Sequence, residues 1–241
     1  MYAYDPRQPV VSDNLSNTLR GLFPNGAKRG FHNLILERSF YMRNPKPKEW
    51  LAQDYSQNYI ADYKPFNFVD GEGVRNSLYV SGCLFACEGC FNKAAQNFRY
   101  GTPFTKELEE QIMDDLRHDY VQGLTLLGGE PFLNTDVCLQ VVDRIRQEFG
   151  HTKDIWSWTG YTFDELLQDS DDKLELLSKI DILVDGRFEI SKRDLKLQFR
   201  GSSNQRIIDV QRSLAENQVV IWEKCTDATE TYEQIKKQDL I

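Results

Sequence analysis

Three cysteines lie within eight residues, where Cys83, Cys87 and Cys90 have the spacing C-x3-C-x2-C. Thiolates this close in sequence can meet at one metal centre. Cys138 and Cys225 are solitary, and no histidine lies at ligand spacing to supply a fourth ligand. Structural zinc sites usually close their shell with a second Cys or His pair, whereas three ligands leave one metal position open. The spacing therefore favours an open iron-sulfur cluster over a zinc knuckle.

An iron-sulfur cluster normally takes four cysteines, so three cysteines leave one iron free to bind another group. The amino and carboxylate groups of the methionine part of S-adenosylmethionine can chelate that iron. Electron transfer then breaks a carbon-sulfur bond of the cofactor, and the cofactors carry the difficult chemistry. The cysteine triplet thus predicts a radical enzyme. No convincing His/carboxylate pair suggests general acid-base catalysis.

Composition limits the other functional classes. The 241 residues carry five cysteines and a net charge of −8. No apolar run approaches the length of a membrane span, the start lacks a signal pattern, and the clustered thiols suit a reducing compartment, so we expect a cytoplasmic protein. Residues 1–48 carry a net charge of +5, which leaves −13 for the rest. Because phosphate contacts need a basic face, we expect no nucleic-acid binding by this acidic body.

The chain divides into a basic leader, residues 1–47, and a domain, residues 48–241. The leader is rich in Asn, Arg, Ser, Pro and Gly, which predicts a loosely ordered or non-native segment. Met42 offers an alternative translation start, and a basic arm that docks a partner or nucleic acid is the functional alternative.

A strand-then-helix rhythm runs through the domain. Thr105 can cap a helix with Leu108, Ile112 and Leu116 on one buried stripe, and Thr162 with Glu165 has the spacing of a capping box. Further helices are predicted at 136–149 and 173–177. The predicted strands are 77–80, 124–127, 155–158, 180–184 and 219–222. This alternation predicts an α/β fold with a mostly parallel sheet and with ligands at the carboxyl ends of its strands.

Five blocks of sequence, in this order and spacing, resemble the activating proteins of anaerobic ribonucleoside-triphosphate reductase. They are residues 83–92, 128–131, 156–161, 185–188 and 200–205. The resemblance runs from about Asp62 to Gln211. Gly89 precedes the third cysteine, where many radical enzymes have an aromatic residue, and Phe91 follows it, as in this group of activases.

The resemblance implies a radical S-adenosylmethionine oxidoreductase with a partial (β/α) barrel of about five or six mostly parallel strands. Cys83, Cys87 and Cys90 would bind one 4Fe-4S cluster, with S-adenosylmethionine on the fourth iron. The cofactor would be cleaved reductively, and the resulting radical would take a hydrogen from a glycine of the reductase. A flavodoxin-like protein would supply the electron.

The resemblance also assigns cofactor contacts. The turn that includes Gly128, Gly129 and Glu130 would hold the methionine ammonium, although a tight strand-helix turn also explains two glycines. Gly89, Cys90 and Phe91 would pass beside the cofactor, unless Phe91 is a core aromatic. Separately, Ser157 and Thr159 alternate with two tryptophans along a predicted strand, and the hydroxyl of Ser157 or of Thr159 could hydrogen-bond the cofactor.

Other features keep more than one interpretation. Asp185 and Arg187 could pair with the substrate, pair with each other or shape a turn. The polar loop 200–205 could contact the partner. Two rival functions also remain: activation of another glycyl-radical enzyme such as pyruvate formate-lyase, and a zinc-bound module that interacts with nucleic acid or protein.

Overall fold

The computed structural model describes residues 43–224. Most of the predicted leader, the Met42 start and Cys225 lie outside the described residues. The described chain forms one sheet with helices packed on it. Its strands are β1 (Tyr59–Asn67), β2 (Val74–Val80), β3 (Thr102–Pro103), β4 (Val121–Gly128), β5 (Asp154–Trp158), β6 (Ile182–Asp185) and β7 (Arg206–Asp209). Its α-helices are α1 (Ala52–Tyr55), α2 (Lys106–Leu116), α3 (Thr135–Phe149), α4 (Phe163–Leu166), α5 (Asp171–Lys179) and α6 (Val210–Glu216).

The seven strands have the order β3-β1-β2-β4-β5-β6-β7. The pairs β2/β4, β4/β5 and β5/β6 are parallel, and the outer pairs β1/β2, β1/β3 and β6/β7 are antiparallel. The prediction of an α/β fold with a parallel-rich sheet is confirmed. The four parallel strands end at one edge, so the loops after Val80, Gly128, Trp158 and Asp185 lie side by side there.

Local sequence signals explain the helices that cover this sheet. The Leu108 N–H donates to Thr105 Oγ1, so the predicted cap of α2 is confirmed. Thr162 and Glu165 form the predicted capping box of α4. In α3 the buried side chains recur at helical spacing, and each buried aliphatic residue contributes about 1.5–3 kcal/mol. They are Val137, Cys138, Val141, Val142 and Ile145. Cys138 is thus a buried small hydrophobe, as its position on the apolar side predicts.

The two faces of the sheet carry separate apolar clusters. The larger one lies between the sheet and the helices and includes Leu126, Ile155 and Leu183. The smaller cluster lies on the other face and is built on Trp156 and Val184. Consecutive residues of a strand point to opposite faces, so the alternation of apolar residues in β5 divides that strand between the two clusters.

The predicted strand at 219–222 is wrong. Within it, Ile221 makes an isolated bridge to Ile208, and the last strand of the sheet is β7. Ile207 and Ile208 are both buried, because β7 pairs with the edge of β6. The long strand β1 and the two-residue β3 were also not predicted. Among residues 43–224, no helix is long and apolar enough to cross a membrane.

Candidate functional site

The three clustered cysteines lie in the loop that follows β2. All three are half-buried, and none forms a disulfide. The N–H of Gly82 donates to Ala95 O at 2.7 Å and the N–H of Cys83 donates to Gln96 O at 3.1 Å. The chain after the loop therefore returns to its start, which fixes the loop at the carboxyl end of β2.

Burial raises the pKa of the Cys83 and Cys87 thiols. The backbone amides of Phe85 and Phe188 lower these two pKa values and partly offset the effect of burial. Thiols in such surroundings stay protonated unless a cation stabilises the thiolate. Metal binding would supply that cation, and N–H donors to sulfur are a feature of iron-sulfur sites. The chemistry of these donors therefore fits a cluster. Among residues 43–224, no three His, Cys, Asp or Glu side chains are arranged to share one metal ion.

The turn after β4 lies directly against the start of the cysteine loop. The N–H of Gly129 donates to Val80 O at 2.7 Å, and the N–H of Glu130 donates to Gly82 O at 2.8 Å. A Cβ at Gly129 would lie 2.4 Å from Gly82 O. Glycine is needed here because two backbones approach each other, so the structure brings Gly128, Gly129 and Glu130 next to the cysteine loop.

The Glu130 carboxylate points into the protein, where its residue is 1% exposed. It accepts hydrogen bonds from Thr159 Oγ1 at 2.8 Å, from the Gly160 N–H at 2.8 Å and from the Phe132 N–H at 3.1 Å. Burial raises the pKa of Glu130 to about 7, and these donors oppose the shift. The side chain thus joins the turn after β4 to the turn after β5.

Strand β5 has one aromatic face and one hydroxyl-bearing face. Trp156 and Trp158 stack with 5.9 Å between ring centroids. Ser157 is paired in register with Leu126 and Leu183, which belong to the helix-side core. Its buried Oγ has no hydrogen-bond partner in the described part of the chain. Thr159, by contrast, uses its hydroxyl on Glu130.

The second half of the cysteine loop is exposed. Phe91 is 87% exposed, so the alternative that it is a core aromatic is wrong. Gly89 packs against the segment after β6, where an added Cβ would lie 2.9 Å from Ile190 Cδ1 and 3.4 Å from Phe188 Cε1. The loop therefore presents Phe91 to solvent beside Cys90, while Gly89 contacts the loop after β6.

A polar cleft of about 480 Å³ opens at the end of β6. Asp185 is buried there and accepts from Arg206 Nε at 3.0 Å and from the Phe163 N–H at 2.8 Å. Arg187 forms two 3.0 Å hydrogen bonds with Glu165. Asp185 and Arg187 thus pair with other residues and not with each other. Sequence reasoning missed both partners.

The polar loop 200–205 makes many of its hydrogen bonds within the protein. Gln205 Oε1 accepts from the N–H of Gly201 at 2.9 Å, and Gln205 Nε2 donates to Gly186 O at 2.9 Å. Asn204 Nδ2 donates to Arg187 O at 2.8 Å. These bonds hold the loop on the segment that follows β6 and account for much of its polarity.

Comparison with known proteins extends this picture. Residues 69–208 match the 4Fe-4S single cluster domain family. The chain is 46% identical over 154 residues to the anaerobic ribonucleoside-triphosphate reductase-activating protein of Pasteurella multocida (strain Pm70), covering 62% of this chain and 96% of that protein. The protein of the same name from Escherichia coli (strain K12) is 44% identical over 147 residues, with 59% and 93% covered. That of enterobacteria phage T4 is 41% identical over 152 residues, with 62% and 92% covered.

The matched region contains the cysteine loop, the Gly128–Glu130 turn, β5 and, apart from Asn44, the residues that line the polar cleft. The region that matches the family therefore includes the residues that form the candidate site. The chain belongs to the family of anaerobic ribonucleoside-triphosphate reductase-activating proteins.

Proposed function

We propose that this protein activates an anaerobic ribonucleoside-triphosphate reductase by generating a glycyl radical on it. One observation carries the proposal: three cysteines at cluster spacing lie in the loop after β2, and the start of that loop is hydrogen-bonded to the Gly128–Glu130 turn of the neighbouring parallel strand. Both loops belong to the segment that matches a 4Fe-4S single cluster family. Ligand binding at the carboxyl ends of parallel strands is the general rule for such sheets.

Cys83, Cys87 and Cys90 are the proposed ligands of one 4Fe-4S cluster. Once bound, the cluster and S-adenosylmethionine supply one-electron cleavage of a carbon-sulfur bond and the radical that abstracts hydrogen. The protein's part is to hold the three thiolates in a loop where each cysteine is half-buried.

The turn formed by Gly128, Gly129 and Glu130 is proposed to bind the methionine end of the cofactor through its backbone. The Glu130 side chain keeps this turn in place through its three hydrogen bonds. Gly89, Cys90 and exposed Phe91 would flank the adenosyl part. The contact predicted for Ser157 stays a prediction.

The curved, open form of the sheet that this chemistry needs, a partial barrel, is part of the proposal. It would let a loop of a folded protein reach the cofactor, and the polar cleft at the end of β6 lies at the same edge. We also propose a cytoplasmic location and a flavodoxin-like electron donor, since the chemistry needs a reducing compartment and a one-electron source.

Anaerobic reconstitution with iron and sulfide, followed by reduction and assay of 5′-deoxyadenosine, tests this function. Wild type should be brown and cleave S-adenosylmethionine, and Cys87→Ala should lose both properties. Cys138→Ala is the matched control, because Cys138 is buried in α3 and is not a proposed ligand. A colourless wild-type protein containing one zinc ion would reject the proposal.

A second assay identifies the protein substrate. The reconstituted protein is mixed separately with the anaerobic reductase and with pyruvate formate-lyase, and the glycyl radical is measured by electron paramagnetic resonance. We expect the radical on the reductase alone. A radical found on pyruvate formate-lyase alone would show that this enzyme, and not the reductase, is the target.

A further inference from the structure

Phe85 lies in the cysteine loop midway between Cys83 and Cys87, but its side chain points away from the loop surface. The residue is 1% exposed, whereas its neighbour Ala86 is exposed. Its backbone is also held, because Phe85 O accepts from the Arg43 N–H at 3.3 Å. The ring is therefore an internal anchor of the segment that carries two proposed cluster ligands.

Aromatic and cationic groups surround this ring. Its centroid lies 5.2 Å from that of Trp50 and 4.9 Å from that of Tyr161, both in edge-to-face geometry. The Arg187 guanidinium lies 4.7 Å from the ring centroid. Such contacts stabilise a buried ring beyond the burial of its apolar area.

Gly160 forms the remaining wall of this socket. A Cβ on Gly160 would lie 2.4 Å from Phe85 Cδ2 and 2.6 Å from Phe85 Cε2. Gly160 is not among the residues with positive φ, so the glycine is needed for the ring and not for an unusual backbone. The absence of a side chain at Gly160 thus leaves a space that the Phe85 ring fills.

The walls of the socket are themselves fixed. Buried Lys173 donates to Trp50 O at 2.6 Å and to the Tyr161 hydroxyl at 3.1 Å, and it pairs with Asp169 at 3.0 Å. The Gly160 N–H donates to Glu130. A rigid socket can hold the loop in one position, whereas a mobile one would follow the loop.

We infer that Phe85 is a positioning residue that fixes Cys83 and Cys87 for cluster binding by seating its ring in the socket formed by Trp50, Gly160, Tyr161 and Arg187. This rests on the proposed function in one respect, that these cysteines hold the cluster. Phe85 acts through the loop backbone. Substitution of residues that support metal ligands without binding the metal commonly weakens metal binding by about 10–100-fold.

The test measures how fast the reconstituted cluster loses iron to an excess of a ferrous chelator under anaerobic conditions. Phe85→Leu leaves part of the socket empty, and Gly160→Ala pushes the ring out of it. Each should release iron about tenfold faster than wild type, within the range known for outer residues of metal sites. The electron paramagnetic resonance spectrum of the reduced cluster should differ from that of wild type in both variants.

Ile145→Val is the control for a general loss of stability. Ile145 is fully buried near the carboxyl end of α3, the helix that starts beside the site after β4. The unfolding free energy of every variant is measured, and iron release by Ile145→Val should equal that of wild type. The double variant Phe85→Leu/Gly160→Ala should release iron more slowly than Gly160→Ala, because leucine gives the new methyl group room.

The outcomes separate this inference from the proposed function. If wild type binds no cluster, the proposed function fails and this inference fails with it. If wild type binds a cluster while Phe85→Leu and Gly160→Ala release iron at the wild-type rate, only the role of Phe85 is refuted. Equal acceleration by Ile145→Val at equal loss of stability would also refute it.

Discussion

The backbone N–H of Gly160 donates to Glu130 Oε2 at 2.8 Å and joins the turns that follow two neighbouring parallel strands. Thr159 and Phe132 donate to the same carboxylate. Glu130 is therefore surrounded by donors and excluded from water at the same time. Its ionisation is coupled to the folding of the whole edge that carries the cysteine loop.

Glu130 should make the stability of the cluster-free protein depend on pH. Burial raises its folded pKa to about 7 from the ordinary 4.5, so the folded state binds the proton more tightly than the unfolded state. The contribution is fully present below about pH 4.5 and is lost as pH rises through 7. The unfolding free energy of the wild type, measured in urea, should therefore fall by up to about 3 kcal/mol between pH 5 and pH 8 because of this group.

Glu130→Gln isolates that contribution because its side chain does not titrate. The variant should be less stable than wild type at pH 5 and should show a flatter pH dependence between pH 5 and 8. Equal slopes for the two proteins would mean that Glu130 does not titrate in this range.

Gly129→Ala should destabilise the protein by about 3 kcal/mol, since overpacking here is against backbone atoms that cannot move aside. The added Cβ would lie 2.4 Å from Gly82 O and 2.8 Å from Ala95 O. Gly73→Ala is the comparison, because its Cβ meets the Gln122 side chain and its φ of +69° costs about 1 kcal/mol. Urea unfolding measures both, and a smaller loss for Gly129→Ala than for Gly73→Ala would contradict the close approach.

Arg206→Met should cost about 2 kcal/mol, because it leaves the buried Asp185 carboxylate without its ion pair. This loss of unfolding free energy should be smaller than the loss on breaking a fully buried ion pair, since the Arg206 side chain is 33% exposed. Combining it with Asp185→Asn should cost less than the sum of the single changes by at least about 1 kcal/mol. Strict additivity in the unfolding free energies would show that the pair is not coupled.

Ser157→Ala should leave the stability of the cluster-free protein unchanged or raise it by up to about 1 kcal/mol, because the buried hydroxyl has no partner within residues 43–224. Thr159→Val, which removes the bond to Glu130, should cost about 1 kcal/mol. Chemical unfolding compares the two variants.

The Ser157 variant also tests the predicted cofactor contact. Weaker binding of S-adenosylmethionine to the cluster-loaded Ser157→Ala protein would support it. An unchanged affinity in equilibrium dialysis would remove Ser157 from the site.

The sequence by itself determined the local features of this protein. The cysteine spacing, the caps at Thr105 and Thr162, the buried row of α3 and four strands of the sheet follow from signals within a few residues. Such signals act over one turn of helix or one strand pair, so a single sequence displays them. The α/β class follows from their alternation.

Tertiary structure decided the contacts between distant segments. Strand β7 forms because β6 offers an edge, and the 219–222 run meets it through a single bridge. Arg206 pairs with Asp185 and Glu165 pairs with Arg187. Phe85 fills the space at Gly160 across 75 residues of chain. These relationships depend on the packing of whole elements, which no local spacing encodes, because the interacting residues are neighbours in space alone.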